Sequence, residues 1–88
     1  MNANKVENFI KEQLKDAKAF YPKHVFKDID VKVYNGSFGS ITITISNKLG
    51  YASGYVANYD AVKDKVNDFL YRAQNKLFAD YWYKHHKA

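Results

Sequence analysis

Six consecutive residues, Ile41-Thr42-Ile43-Thr44-Ile45-Ser46, alternate a branched aliphatic side chain with a hydroxyl. Five of the six are β-branched, which stiffens χ1 and disfavours a helix. A period of two then puts the three isoleucines on one face and the three hydroxyls on the other. A chain containing this segment is committed to a sheet with one dry face and one wet face, and some other element has to cover the dry one.

The flanking segments extend the sheet. Ile29, Val31 and Val33 alternate with Asp30, Lys32 and Tyr34, which reads as a strand with one wet face. Between these two strands, Gly36-Ser37-Phe38-Gly39 has the glycine spacing of a phosphate-cradling loop. Such a loop needs a following helix and, in the nucleotide-binding version, a lysine, whereas here Ser40 and a strand follow. A hairpin turn in which Asn35-Gly36 supplies the positive φ explains the same residues. After Ser46, Asn47-Lys48-Leu49-Gly50 reads as a turn with Gly50 at positive φ. Tyr51, Ser53, Tyr55 and Ala57 then alternate with Ala52, Gly54 and Val56 as a third strand, with Gly54 marking a bulge.

Two helical patterns supply the cover. Val6, Phe9, Ile10, Leu14, Ala17, Phe20 and Tyr21 recur at spacings of three and four, with Lys and Glu on the opposite side. Asn4-Lys5-Val6-Glu7 reads as a reciprocal cap and Pro22 as the stop, so a helix is expected from about Asn4 to Phe20. At the other end Val62, Val66, Phe69, Leu70, Ala73 and Leu77 form a second stripe that Tyr81 continues, with Asn58 or Asp60 as N-cap. The expected architecture is α+β in the order helix, three-stranded antiparallel meander, helix, with both helices packed on one sheet face. Residues 1–88 are expected to make a single domain, because a chain this short buries only ~60–65% of its unfolded surface and has no room for a second core.

Charge and composition narrow the function classes. Fourteen Lys and Arg against nine Asp and Glu give a formal charge of +5, which favours encounter with polyanions. Only one of the fourteen is Arg, so any nucleic acid would be held by its backbone rather than read at its base edges. The chain has no cysteine, which excludes disulfides and thiolate metal sites. With neither a signal-peptide pattern nor a membrane-length apolar run, a cytoplasmic location without membrane association is expected.

Catalytic patterns are absent. Ser37 and Ser40 have no histidine near them in sequence, and no two of His24, His85 and His86 sit at the i, i+4 spacing that shares a ligand on a helix. Asp28 and Asp30, two apart on an expected strand, read as a solvated face. No enzyme, metal or cofactor is therefore expected. Binding candidates remain. Tyr51, Tyr55 and Tyr59 are spaced to lie near one side of the third strand and the start of the last helix, where wet tyrosines stack on bases or anchor a protein interface. Three consecutive aromatics, Tyr81-Trp82-Tyr83, cannot all face one core, so at least one is expected at the surface, ahead of a frayed basic tail from Lys84 to Lys87. Arg72 and Lys76, four apart, extend this basic end along one helical face.

The stretch FYPKHVFKDIDVKVYNGSFGSITITI, followed by a turn, a tyrosine-rich strand and a helix, resembles the large polyvalent protein-associated domains found in proteins of phages and conjugative elements. The matching features are Tyr21-Pro22, Val31-Lys32-Val33, Gly36 to Ser40 and Ile41-Thr42-Ile43, within a span from about Phe9 to Phe69. The resemblance implies a non-catalytic mobile-element protein, similar in size to phage anti-defence proteins such as inhibitors of CRISPR effectors. Its expected partner is a host protein or nucleoprotein complex, engaged by a monomer or homodimer through Tyr51, Tyr55, Tyr59, Arg72, Lys76, Trp82, Tyr83 and Lys84. The alternative is a small basic module that grips the DNA or RNA backbone through Lys and aromatic contacts.

Overall fold

The structure, a computed structural model, describes residues 1–86. Its elements are α1 (Ala3–Ala17), β1 (Asp30–Asn35), β2 (Ile41–Ser46), β3 (Tyr51–Val56) and α2 (Tyr59–His86), with single 3-10 turns at Lys23–Phe26 and Ser37–Gly39. The strands form an antiparallel meander in the order β1-β2-β3. The fold is the α+β arrangement expected from the sequence. α1 lies against β1 and α2, and α2 lies against β3 and β2.

The alternation of β2 governs the packing. Ile41, Ile43 and Ile45 are all buried, while Thr42, Thr44 and Ser46 remain partly open. Ala52 and Val56 of β3 join them on the dry face. Val6, Ile10 and Leu14 from α1, and Val62, Val66, Phe69, Leu70 and Ala73 from α2, close the core over it, with Val25 at one end. Each large aliphatic or aromatic side chain sealed this way stabilises the fold by about 1.5–3 kcal/mol relative to exposure. Val31 and Val33 are only half-buried, because β1 is an edge strand covered by α1 alone.

Several local details differ from the sequence expectation. The side chain of Asn2, not Asn4, caps α1 by accepting from Lys5 N at 2.9 Å. The helix ends at Ala17 rather than Phe20, where Phe20 N donates to Ala17 O at 2.9 Å in a tight turn. Phe20 consequently leaves the apolar stripe and stands exposed. In the β1–β2 hairpin the positive φ falls on Phe38 (56°) and Gly39 (75°), whereas Gly36 is extended at −100°. The loop has five residues between the paired Asn35 and Ile41, too many for a two-residue Asn-Gly turn, and Gly36 N instead donates to Ser40 O at 2.7 Å.

Gly50 is absent from the positive-φ positions; its role is proximity. A Cβ there would stand 3.1 Å from Ala73 Cβ, Ala73 N and Phe69 O, so the missing side chain lets α2 lie against the turn. Gly54 makes no bulge: the β2–β3 ladder runs one to one through Ile43 and Gly54. Its φ of 156° and the Lys65 stem packed over it account for glycine there. The β2–β3 turn is held by Asn47. Its amide nitrogen donates to Val25 O (2.9 Å) and Lys27 O (3.1 Å), and its amide oxygen accepts from Leu49 N and Gly50 N.

Asn58 caps α2 by accepting from Ala61 N at 2.9 Å. The helix then continues through Lys84 and His85 to His86, where a frayed tail was expected; Lys87 lies outside the described residues. Its core contacts stop near Leu77, so the last nine described residues project past the sheet and contribute to a long axis of 53 Å. Among the described residues no helix is long and apolar enough to cross a membrane.

Candidate functional site

Because both helices occupy the isoleucine side, the opposite face of the sheet is left open. The ladder places its side chains in three rows across the strands: Asp30, Ser46 and Tyr51; Lys32, Thr44 and Ser53; Tyr34, Thr42 and Tyr55. Tyr34, Tyr51 and Tyr55 are 58%, 57% and 78% exposed. With strands about 4.8 Å apart, Tyr34 and Tyr55 flank Thr42 with backbones ~10 Å from each other, and Tyr51 sits about 13 Å further along β3.

The floor between the tyrosines is a hydroxyl surface. Thr44 Oγ1 and Ser53 Oγ are 3.0 Å apart, and Ser53 Oγ donates to Ile43 O at 3.1 Å. Charge on this face is balanced, since Lys32 Nζ lies 3.7 Å from Asp30 Oδ2. Rigid tyrosines over adaptable hydroxyls are the side-chain combination of a protein-binding paratope, in which large rings bury area at small entropic cost and hydroxyls adjust their hydrogen bonds. At the hairpin beside the Tyr34–Tyr55 row, Phe38 is fully exposed in a left-handed backbone conformation.

The eight residues singled out from the sequence fall in three separate places. Tyr51 and Tyr55 share the open face, as their spacing suggested. Tyr59 does not join them: its ring packs edge-on against Phe9, with centroids 4.9 Å apart, at the α1–α2 junction. The turn at Ala57–Asn58 breaks the strand alternation and carries residue 59 to the helix side. The other five lie along α2 from Arg72, which reaches the strand carrying Tyr51, to Lys84.

Arg72 and Lys76 do not form a free basic face. Arg72 Nε donates to Asp68 Oδ1 at 3.0 Å and its Nη1 reaches Tyr51 O at 3.4 Å, while Lys76 Nζ lies 2.9 Å from Asp80 Oδ1. Tyr81, Trp82 and Tyr83 are all exposed, and Trp82 stacks on His86 with centroids 4.7 Å apart. Lys84 has no ion pair among the described residues.

Free positive charge gathers elsewhere. Lys18, Lys23 and Lys27 line a cleft of about 790 Å³ with Tyr21, His24 and Phe26, and among the described residues no carboxylate borders it. His24 and Asp28 share a smaller cleft beside Asn47. Asp28 is not on a strand, because its φ of 53° turns the chain before β1 begins, and Asp30 borders a different cleft against α1. The pair therefore does not lie on one strand face. His24, Asp80 and His85 border one groove, but among the described residues no three His, Asp or Glu side chains are grouped to hold a metal ion.

Sequence reasoning missed Tyr34 and Phe38 as candidate contacts. Tyr34 was legible as a wet-face residue, but its partnership with Tyr55 depends on the register across two turns. Phe38 had one signal, a large apolar side chain between glycines in a loop. Comparison with family models, with curated proteins and with solved structures gives no match to this chain.

Proposed function

We propose that this protein is a non-catalytic binding protein that engages a host protein through the open face of its sheet. The observation that carries this reading is the Tyr34–Thr42–Tyr55 row with Tyr51 beyond it, exposed on a face without net formal charge that neither helix covers. Rings at both edges of a hydroxyl floor supply the large, low-entropy anchors that dominate binding at protein interfaces. A nucleic-acid platform of the same shape needs cations to track the phosphates, and the single lysine on this face is paired. The specific form that the family resemblance implies is occupation of a host defence effector's surface by a mobile-element protein.

The test is capture of the partner from nuclease-treated lysate of the host cell by the wild-type chain and by Tyr34→Ser/Tyr55→Ser. Retention of one protein by the wild type and its loss with the double variant supports the reading. Equal capture by both overturns it. A second reading, binding of a nucleic-acid backbone, is favoured by the cleft of Lys18, Lys23 and Lys27, which no carboxylate borders among the described residues. It calls for binding to random duplex that weakens steeply with salt, by counterion release, and that is reduced in Lys23→Ala/Lys27→Ala.

A further inference from the structure

α2 carries a second stripe that the core does not use. Tyr71, Gln74, Phe78, Tyr81 and His85 are spaced three, four, three and four apart, the repeat of a coiled-coil seam. This stripe flanks the core stripe of Val62, Val66, Phe69, Leu70 and Ala73, and its distal members Phe78, Tyr81 and His85 border the groove that Leu77 and His24 also line. Tyr71, Phe78 and Tyr81 are 63%, 53% and 61% exposed, and Trp82, 55% exposed, flanks them. A helix end that merely extends into water has no physical reason to carry a row of rings at this repeat.

We infer that this outer seam of α2 pairs antiparallel with the same seam of a second copy of the chain. The area is sufficient. Four rings, each worth ~150–250 Å² when buried and more than half exposed here, leave about 400–500 Å² of mostly apolar surface per copy. Two copies, with Gln74, His85 and the side-chain stems between them, reach the ~1,000–1,200 Å² at which specific interfaces begin.

Charge disfavours the parallel direction. The first turns of α2 mix Asp60, Asp64 and Asp68 with Lys63 and Lys65, whereas its end carries Lys84, His85 and His86 with no carboxylate after Asp80 among the described residues. In the seam register that sets Tyr71 opposite Tyr81 and Gln74 opposite Phe78, the basic end of one copy runs beside residues 64–68 of the other, where Asp68 is held by Arg72 and Asp64 makes no ion pair among the described residues. A parallel pair would instead bring the two basic ends together and align the helix dipoles unfavourably. The pairing is isologous, so it closes at two copies and leaves both open sheet faces outward.

Sedimentation velocity of the full chain over a wide concentration range tests this. The expected result is a reversible monomer–dimer equilibrium that Phe78→Lys and Tyr81→Glu each weaken by more than about tenfold, the loss typical of an anchor residue. Tyr83→Ala, exposed but off the seam, and Tyr55→Ser, on the sheet, are expected to leave it unchanged. Circular dichroism and thermal melting of the seam variants guard against misfolding, which the exposure of both side chains makes a minor effect. A wild-type chain that stays monomeric at every concentration overturns the inference, as does a dimer that survives Phe78→Lys. Because the chain has no cysteine, Gln74→Cys tests direction. Ready disulfide linkage between two copies of that variant would mean parallel seams and overturn the antiparallel arrangement; its absence in a chain that dimerises supports it.

Discussion

At the scale of single residues, the two most consequential positions are a side chain that no periodicity marks and a backbone that runs against its residue type. Asn47 makes four hydrogen bonds at once, two as donor to carbonyls of the segment before β1 and two as acceptor within its own turn. Asn47→Ala strands these groups, and the expected cost is about 2–3 kcal/mol. In a domain this small each kcal/mol corresponds to ~4–8 °C, so a melting experiment resolves the loss easily. Asn47→Asp is expected to be at least as damaging, because a carboxylate turns its acceptors toward Val25 O and Lys27 O. Phe38 presents the reverse case. Its ring is fully exposed and its φ is 56°, a conformation costly for any residue with a bulky Cβ substituent. Phe38→Asn should therefore stabilise the chain by ~0.5–1 kcal/mol, since Asn tolerates the left-handed region, visible as a raised denaturation midpoint. A lowered midpoint would show that the ring packs in solution.

At the scale of elements, the contact between α2 and the sheet depends on a missing side chain. Gly50→Ala puts a methyl 3.1 Å from two backbone atoms and one Cβ of α2, none of which can swing aside as a flexible side chain would. The helix must shift, at an expected cost of about 1–3 kcal/mol in chemical denaturation. The sequence announced a turn glycine there but not its reason, because the close approach exists only once α2 has docked. The same distinction runs through the fold. The β2 alternation and the two helical stripes dictated the element order and the buried face, since burial of Ile41, Ile43 and Ile45 is a property of one segment's period. The α1 boundaries, the positive-φ residues of the hairpin and the straight path of β3 through Gly54 depend on hydrogen bonds and neighbours that no single window contains.

At the scale of the whole molecule, the candidate site was legible in its parts and not in their grouping. Tyr51 and Tyr55 fall on the open face by alternation, but joining Tyr34 to Tyr55 requires both hairpin registers, and separating Tyr59 from them requires the cap at Asn58. Basic residues four apart looked like a patch in sequence; in space Asp68 and Asp80 neutralise them. The molecule divides into a core that ends near Leu77 and a helical projection beyond it. Isolated, a nine-residue helix in water is marginal, but this one only propagates from a helix that packing already nucleates. A chain ending after Phe78 should therefore keep its tertiary structure and change in unfolding free energy by less than ~1 kcal/mol, since none of the fourteen core side chains is removed. Far-UV ellipticity should drop by the helical residues deleted and no further. If the projection pairs between copies, truncation also abolishes the rise of melting temperature with protein concentration that the full chain is expected to show by mass action. Loss of cooperative unfolding on truncation would instead mean that the distal helix is part of the folding unit.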